Sequence, residues 1–189
     1  MNHLQVTFVI GANATGKSHF IRTRFSDKDV ECLNVYDYQG RAYKEAGIGG
    51  RFLNSENRKC LYNANLLLLK DIIALLQEGR SVVVEHTLFK AKRRISYIDA
   101  IRKAVDAEIE FFVMCPSDKQ WEAFIAERKL QGDFQYYKRM AEDIEFPNPA
   151  GKLRIKPFLT AGCHIFSGFA PVGYYPFYPL KQANMTVII

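Results

Sequence analysis

The 189-residue sequence has few cysteines and no cysteine pattern that would form a structural site. Its four cysteines lie far apart, without a C-x-x-C pair or the ligand spacing of a zinc site. They are Cys32, Cys60, Cys115 and Cys163. Scattered cysteines of this kind are typical of reduced thiols in a cytosolic protein. The sequence therefore predicts a cytoplasmic location and argues against a disulfide-stabilised secreted scaffold.

Long apolar stretches are also missing. No uninterrupted apolar run approaches the ~20 residues that a membrane helix needs, and the first residues lack the basic and apolar regions of a signal peptide. A chain of 189 residues is long enough to bury its own core, and it contains no internal repeat or low-complexity tract. We therefore predict a single domain over 1–189 with no membrane partner.

Acidic residues are scarce in two segments of this basic chain, whose formal net charge is +6. Residues 90–103 contain six Lys or Arg and one Asp, and residues 151–189 contain four Lys or Arg and no acidic residue. Such clusters fit a phosphorylated or nucleic-acid partner. A solvated helix face explains the first cluster equally well, so charge alone does not decide between these alternatives.

Apolar patterning predicts alternating strands and helices over most of the chain. Strands are expected at 4–10, 32–36, 81–85 and 108–115. Helices are expected at 17–25, 63–77, 91–105, 121–129 and 136–144. The run SVVVE at 81–85 is β-branched and almost uninterrupted, as in a strand buried on both faces. This order predicts a three-layer α/β/α fold with a mostly parallel central sheet.

The C-terminal part, about 147–189, differs in composition from the rest. The sequence PNPAG at 147–151 ends the last predicted helix, and Pro, Gly and aromatic residues dominate the chain from there to residue 189. Short strands are expected at 163–166 and 185–189, with an edge hairpin and a wrapped loop as alternative arrangements. We interpret this extension as core or packing surface, and a dimer contact or an acceptor-binding wall are the alternatives.

A glycine-rich turn comes directly after the first predicted strand and satisfies the pattern G-x-x-x-x-G-K-[ST] with GANATGKS. Glycines allow close approach of the backbone to phosphate, successive N–H groups form an anion nest, and the next helix adds its positive N-terminus. Lys17, on an exposed loop, is expected to reach the β- and γ-phosphates, and Ser18 to offer its hydroxyl to Mg²⁺. The predicted nucleotide-binding residues are Gly11, Ala12, Asn13, Ala14, Thr15, Gly16, Lys17, Ser18 and His19.

Two carboxylates lie just after predicted strands, which is where ligands of parallel α/β sheets bind. Glu85 ends the run SVVVE and is a candidate to hold Mg²⁺ through water or to bind substrate hydroxyls. Asp37, after the second strand, is a candidate general base or substrate-orienting group. Arg41, four residues later, is a candidate substrate-binding residue. Ordinary strand-end and turn residues are the alternative explanation for the two carboxylates.

Two arginines lie in the segment 116–145, after the fourth predicted strand, where kinases of this topology carry a mobile lid. They are Arg128 and Arg139, both in polar, partly helical sequence. A guanidinium that closes over the nucleotide stabilises charge on the transferred phosphoryl group. Both are therefore candidate catalytic residues together with Lys17 and Asp37, and surface arginines of amphipathic helices are the alternative.

These motifs and their order resemble the zeta-toxin-like group of small P-loop kinases over about residues 4–145. GANATGKS is similar to the phosphate loop of that group, and VYD with Arg41 resembles its second-strand aspartate and nearby arginine. VVVEHTLFKAKRR resembles its apolar strand ending Glu-x-Thr, with a basic helix after it. The resemblance implies a P-loop kinase-type fold with a helical lid, ATP and Mg²⁺ as cofactors, Asp37 as the base, and Glu85 with Thr87 near the substrate. His86 stands where the group usually has a small residue, so it either alters the pocket or is a satisfied polar residue at a strand end.

Members of this group phosphorylate hydroxyl groups, in the best-known case a sugar hydroxyl of UDP-N-acetylglucosamine. We therefore expect a phosphotransferase with an alcohol acceptor that is small and anionic, such as a nucleotide sugar or nucleoside. The sequence does not indicate whether the protein has an antitoxin partner.

Two further functions are kept as alternatives. A polynucleotide 5′-hydroxyl kinase would need a basic channel with aromatic side chains, which the basic residues of 90–94 and the tail aromatics would supply. A non-catalytic ATP-binding protein is the other alternative. The sequence contains no Asn-Lys-x-Asp motif, which disfavours a GTPase.

Overall fold

The computed structural model describes residues 4–48, 55–88, 90–128, 134–142, 162–166 and 185–187. The strands in these ranges are β1 (Gln5–Ile10), β2 (Val30–Asn34), β3 (Ser81–His86), β4 (Glu108–Met114), β5 (Gly162–Phe166) and β6 (Met185–Val187). The helices are α1 (Lys17–Arg24), α2 (Val35–Glu45), α3 (Ser55–Gln77), α4 (Ala91–Ala104), α5 (Asp118–Glu127) and α6 (Phe134–Glu142).

The strands form one sheet in the order β2-β3-β1-β4-β5-β6, and every adjacent pair is parallel. Helices pack on both faces of this sheet, so the predicted three-layer α/β/α fold is confirmed. In β1 and β3 every residue after the first is buried. Their uninterrupted apolar sequences result from this position, because both faces of a central parallel strand need apolar side chains.

Alternate residues of β1 point into two separate apolar cores. Phe8 lies in the core under α3 and α4, where it stacks on Phe111 with ring centroids 5.0 Å apart and meets Tyr97 edge-on. Val9 belongs to the opposite core under α1, together with Phe20. Successive side chains of a strand point to opposite faces, so the two cores hold β1 from both sides. The loop after β1 therefore starts from a rigid position.

Helix α2 and the start of α3 were not predicted from the sequence. β2 ends at residue 34 rather than 36, because the Asn34 side chain accepts a hydrogen bond from the Tyr36 N–H and begins α2 there. α3 begins at Ser55, whereas the sequence predicted a start at residue 63. The first turns were missed because the polar sequence SENRKCLY carries no apolar periodicity. The other predicted boundaries up to residue 142 agree with the structure within three residues.

The C-terminal strands extend the sheet beyond β4. β5 pairs with β4 and β6 pairs with β5, in both cases in parallel. Strands joined by a hairpin are antiparallel, so the edge-hairpin alternative for this region is wrong. Residues 167–184, which carry most of the tail aromatics, lie outside the described residues, and so do the roles considered for them.

Within the described part of the chain, one helix has the length and composition of a membrane span. It is Asn57–Gln77 of α3, with a mean hydropathy of 1.2. One face of this helix is buried against the sheet through Ala64, Leu68, Ile72 and Leu76. The core helix of an α/β protein has the same composition, so this feature alone is weak evidence for a membrane. In this structure α3 packs as a core helix.

Candidate active site

The carboxyl ends of β1, β2, β3 and β4 lie side by side at one edge of the sheet. The chain moves to one side of β1 to form β2 and β3, and to the other side to form β4. Ligands of open α/β sheets bind at such a switch point. The glycine-rich loop, Glu85, Thr87 and the start of α2 all lie at the ends of strands that reach this edge.

The glycine-rich loop needs glycine at two positions. Gly11 has a φ of +149°, and a Cβ there would lie 2.8 Å from the Met114 carbonyl oxygen at the end of β4. Gly16 has a φ of +88° and is the N-cap of α1. Side chains of L residues rarely adopt these conformations. The Thr15 hydroxyl donates to the Ala12 carbonyl at 2.9 Å and stabilises the turn.

Lys17 lies inside this loop, so the expectation that it is exposed was wrong. It is 4% exposed, and its Nζ donates to the carbonyl oxygens of Gly11 at 3.1 Å and Ala12 at 2.7 Å. Burial lowers the pKa of Lys17 to about 8, with Glu85 raising it and Arg128 lowering it. A bound anion would favour the charged amine, because opposite charge offsets the cost of burial. The loop therefore holds a buried amine, and its role in binding phosphate stays a prediction.

A hydroxyl and a carboxylate meet beside Lys17. Ser18 Oγ donates to Glu85 Oε1 at 3.0 Å, and Asn34 Nδ2 donates to Glu85 Oε2 at 3.3 Å. Glu85 is buried near the carboxyl end of β3. Mg²⁺ prefers hard oxygen ligands and is usually held by one or two protein groups together with substrate phosphates. Ser18 and Glu85 fit such a site by donor type and position, and their metal role stays a prediction.

The two acceptor-side candidates lie one turn apart on α2. Asp37 is exposed in the first turn, where the positive helix end stabilises a carboxylate. Arg41 is also exposed, and its guanidinium carbon lies 4.3 Å from the ring centroid of Tyr38. Tyr38 Oη in turn donates to Asp71 Oδ2 of α3 at 2.7 Å. These side chains thus project from a helix that is braced against α3.

Helix α5 packs directly on the glycine-rich loop. Trp121 Nε1 donates to the Asn13 carbonyl oxygen at 2.9 Å. An apolar cluster joins the loop to α5 and α6, and its buried members are Ala12, Ala14, Trp121, Ile125 and Tyr137. The helices of the predicted lid therefore contact the predicted nucleotide site, whereas lid movement stays a prediction.

The two arginines of this segment have different surroundings. Arg128 is exposed at the C-terminal end of α5, and its charge contributes to the lowered pKa of Lys17. Arg139 is exposed on α6, and its Nε donates to the Gln135 carbonyl oxygen of the same helix at 3.4 Å. Arg128 is thus within electrostatic range of Lys17, and the catalytic roles of both arginines stay predictions.

His86, at the end of β3, is a buried and hydrogen-bonded residue. Its Nδ1 accepts from the Leu88 N–H at 3.1 Å, so the proton sits on Nε2, which donates to Asn65 Oδ1 at 2.8 Å. Burial lowers the pKa of His86 to about 3, assisted by the charges of Arg93 and Lys17. The imidazole is therefore neutral near pH 7, which favours the interpretation of His86 as a satisfied strand-end residue.

The burial of His86 predicts that the stability of the protein depends on pH. The pKa of His86 is about 3 in the folded protein and about 6.5 when the chain is unfolded. The unfolded chain thus binds a proton first, and stability is lost as the pH falls from about 6.5. Between pH 6.5 and 5 this group should lower the free energy of unfolding by roughly 1–2 kcal/mol. Urea unfolding of wild type and His86→Gln, compared at both pH values, isolates the effect; equal losses in the two proteins would contradict it.

Two predicted site residues remain to be located, and three further residues near the site were not predicted from the sequence. Thr87 is half-buried directly after His86, and His19 is exposed near the start of α1. Asn34, Asn65 and Trp121 were not predicted. An asparagine before a helix is a capping signal, but α2 itself went unpredicted. The partners of Asn65 and Trp121 are distant in sequence, so only the structure reveals them.

Comparison with known proteins identifies one family model that matches residues 6–145, described as an AAA domain. Among curated proteins, none matches the sequence. A sugar kinase from Janibacter sp. HTCC2649 is 16% identical, with a TM-score of 0.53 and coverage of 77% of this chain and 80% of that chain.

Two further similar structures belong to larger assemblies or longer chains. A chain of the Pnkp1/Rnl/Hen1 RNA repair complex is 15% identical, with a TM-score of 0.59 and coverage of 76% of this chain and 45% of that chain. A chain of the PezAT toxin-antitoxin system of Streptococcus pneumoniae is 10% identical, with a TM-score of 0.50 and coverage of 76% of this chain and 61% of that chain.

Identities this low show a common fold and do not transfer a substrate. The similarity to the toxin-antitoxin chain agrees with the predicted resemblance at the level of the fold, and membership of the zeta-toxin group stays a prediction. The family model, by contrast, covers most of the chain, including the glycine-rich loop, Glu85 and Arg128. This protein therefore belongs to the AAA domain family and has the fold of the P-loop kinases.

Proposed function

We propose that this protein is an ATP- and Mg²⁺-dependent kinase that transfers the γ-phosphate to a hydroxyl of a small, anionic acceptor, such as a nucleotide sugar or a nucleoside. The observation that carries this proposal is the hydrogen bond between Ser18 and Glu85 beside the buried amine of Lys17. A cation, a hydroxyl and a carboxylate at the switch point are the groups that phosphoryl transfer needs around the β- and γ-phosphates.

The positions of these groups suggest how the reaction proceeds. The acceptor oxygen attacks the γ-phosphorus while Asp37 takes the hydroxyl proton, and the bond from phosphorus to the bridging oxygen breaks to release ADP. Lys17 stabilises charge on the phosphate oxygens, and Arg128 adds a second cation when α5 closes. Bound through Ser18 and Glu85, Mg²⁺ would supply further neutralisation of the phosphates.

The anionic character of the acceptor is inferred from the cations near β3 and α2. Arg93 is exposed in the first turn of α4, and its charge lowers the pKa of His86 at the end of β3. Arg41 is exposed on α2, one turn from Asp37. Exposed cations on α2 and α4, the helices that follow β2 and β3, favour an acceptor that carries phosphate or another negative group.

A polynucleotide 5′-hydroxyl kinase is the second candidate. The start of α4 carries Lys90, Lys92 and Arg93, and its first turn contains no acidic residue. Positive residues at a helix N-terminus are unfavourable by themselves, so an anionic strand would stabilise them. The similarity to a chain of an RNA repair complex supports this candidate only through the shared fold.

The test is an acceptor panel. Wild type is incubated with γ-labelled ATP and Mg²⁺ against nucleotide sugars, nucleosides and 5′-hydroxyl oligonucleotides, with EDTA as the metal-free control. We expect labelled product from one small-molecule class, and transfer slowed by roughly 10²–10⁴ in Asp37→Asn, the usual effect of losing a general base. ATP affinity should change little.

The other outcomes of this test would favour one of the alternative functions or exclude Asp37 as the base. Labelled oligonucleotide alone, with binding that weakens as salt rises, would favour the second candidate. Tight ATP binding without transfer to any acceptor class would make the protein a non-catalytic ATP-binding protein. Normal turnover of Asp37→Asn at saturation would show that Asp37 is not the base.

A further inference from the structure

Asn34 uses both atoms of its side-chain amide to join two parts of the site. Its Oδ1 accepts a hydrogen bond from the Tyr36 N–H at 2.9 Å and caps α2. Its Nδ2 donates to Glu85 Oε2 at 3.3 Å. These partners fix the orientation of the amide, because the flipped form would place its NH₂ against an N–H and its oxygen against a carboxylate.

The two groups that Asn34 joins lie on different elements. Glu85, on β3, accepts from Ser18 of α1 through its other oxygen at 3.0 Å. The capped helix α2 carries Asp37 in its first turn. Tyr36 Oη of the same turn also donates to the side chain of Asn13 in the glycine-rich loop. The start of α2 is therefore attached to both the candidate metal carboxylate and the candidate nucleotide loop.

We propose that Asn34 is a positioning residue that aligns Glu85 with Ser18 and holds Asp37 at a defined place relative to them. This inference rests on the proposed kinase function. An amide suits the position for a physical reason. Aspartate would cap the helix but would place a second negative charge against Glu85, and serine would cap it but is too short to reach the carboxylate.

Substitutions at Asn34 separate capping from positioning. Asn34→Ser and Asn34→Asp preserve the cap and remove the donor to Glu85, whereas Asn34→Ala removes both. Thermal unfolding reports the cap, and we expect Asn34→Ser to unfold close to wild type and Asn34→Ala at a lower temperature. Asn34→Asp keeps the cap but should also unfold at a lower temperature, because its charge repels Glu85.

The readouts that test positioning are turnover and the Mg²⁺ dependence of ATP binding. In Asn34→Ser we expect roughly 10-fold to 100-fold loss in turnover or in the Mg²⁺ affinity measured with ATP bound, the usual result of removing a group that orients a metal ligand. Asn34→Asp should lose at least as much. If Asn34 only caps α2, Asn34→Ser will match wild type in these readouts, and the inference is wrong.

The binding measurement also separates this inference from the proposed function. It uses ATP with and without Mg²⁺, by calorimetry, and requires no acceptor. Absence of phosphoryl transfer in wild type would refute the kinase, while a weaker Mg²⁺ effect in Asn34→Ser would still support the link between Asn34 and Glu85. Equal Mg²⁺ dependence in the two proteins, including none in either, together with turnover that is equal or absent in both, would overturn the inference.

Discussion

Replacement of Lys17 by alanine is expected to lower phosphoryl transfer by roughly 10³ or more, while the protein still unfolds cooperatively. The amine is 4% exposed and is held by two loop carbonyls, so its removal deletes the cation nearest to the expected phosphates. The loss of those hydrogen bonds costs stability, and relief from burying a charge offsets part of it. Lys17→Met fills the same space without the charge and is the matched control for packing.

Steady-state kinetics and urea unfolding of both variants measure these effects. Burial lowers the pKa of the Lys17 amine to about 8, so ATP affinity of wild type should fall as the pH rises through that value. The Met variant should lack this dependence. Turnover within a few-fold of wild type, or loss of cooperative unfolding in both variants, would contradict the assigned role.

Arg128→Ala is expected to reduce turnover by roughly 10³, the lower range for a lost arginine that stabilises a transferred phosphoryl group. Its charge already lowers the pKa of Lys17, so the guanidinium lies on the same side of the site. The effect on ATP affinity should be much smaller, because the charge it meets develops mainly in the transition state. Arg102→Ala, an exposed arginine in the last turn of α4, is the control.

Hydrogen exchange tests the movement that this role requires. Lid segments open more readily than the core, so 116–145 should exchange faster without nucleotide and become protected with ATP and Mg²⁺. Equal protection in the two states, together with a fully active Arg128→Ala, would exclude the lid from the mechanism.

The sequence by itself determined the features that depend on local chemistry. A strand buried on both faces requires an apolar run, and β1 and β3 show one. The loop requires glycine at two positions where the backbone takes a positive φ, and Gly11 and Gly16 stand at those positions. The strand order is consistent with the alternation of strands and helices, since parallel strands need crossovers. The fold and the conformation of the glycine-rich loop were therefore predictable, and the nucleotide role of the loop stays a prediction.

Only the tertiary structure decided the features that depend on partners distant in sequence. The burial of Lys17, the tautomer of His86 and the parallel pairing of β6 each result from contacts that no local pattern encodes. Asn34 is the clearest case, because its amide bonds to Glu85 across 51 positions in the chain. An asparagine before a helix looks like a cap alone, and its second hydrogen bond exists only because β2 and β3 pair in parallel and end at the same edge.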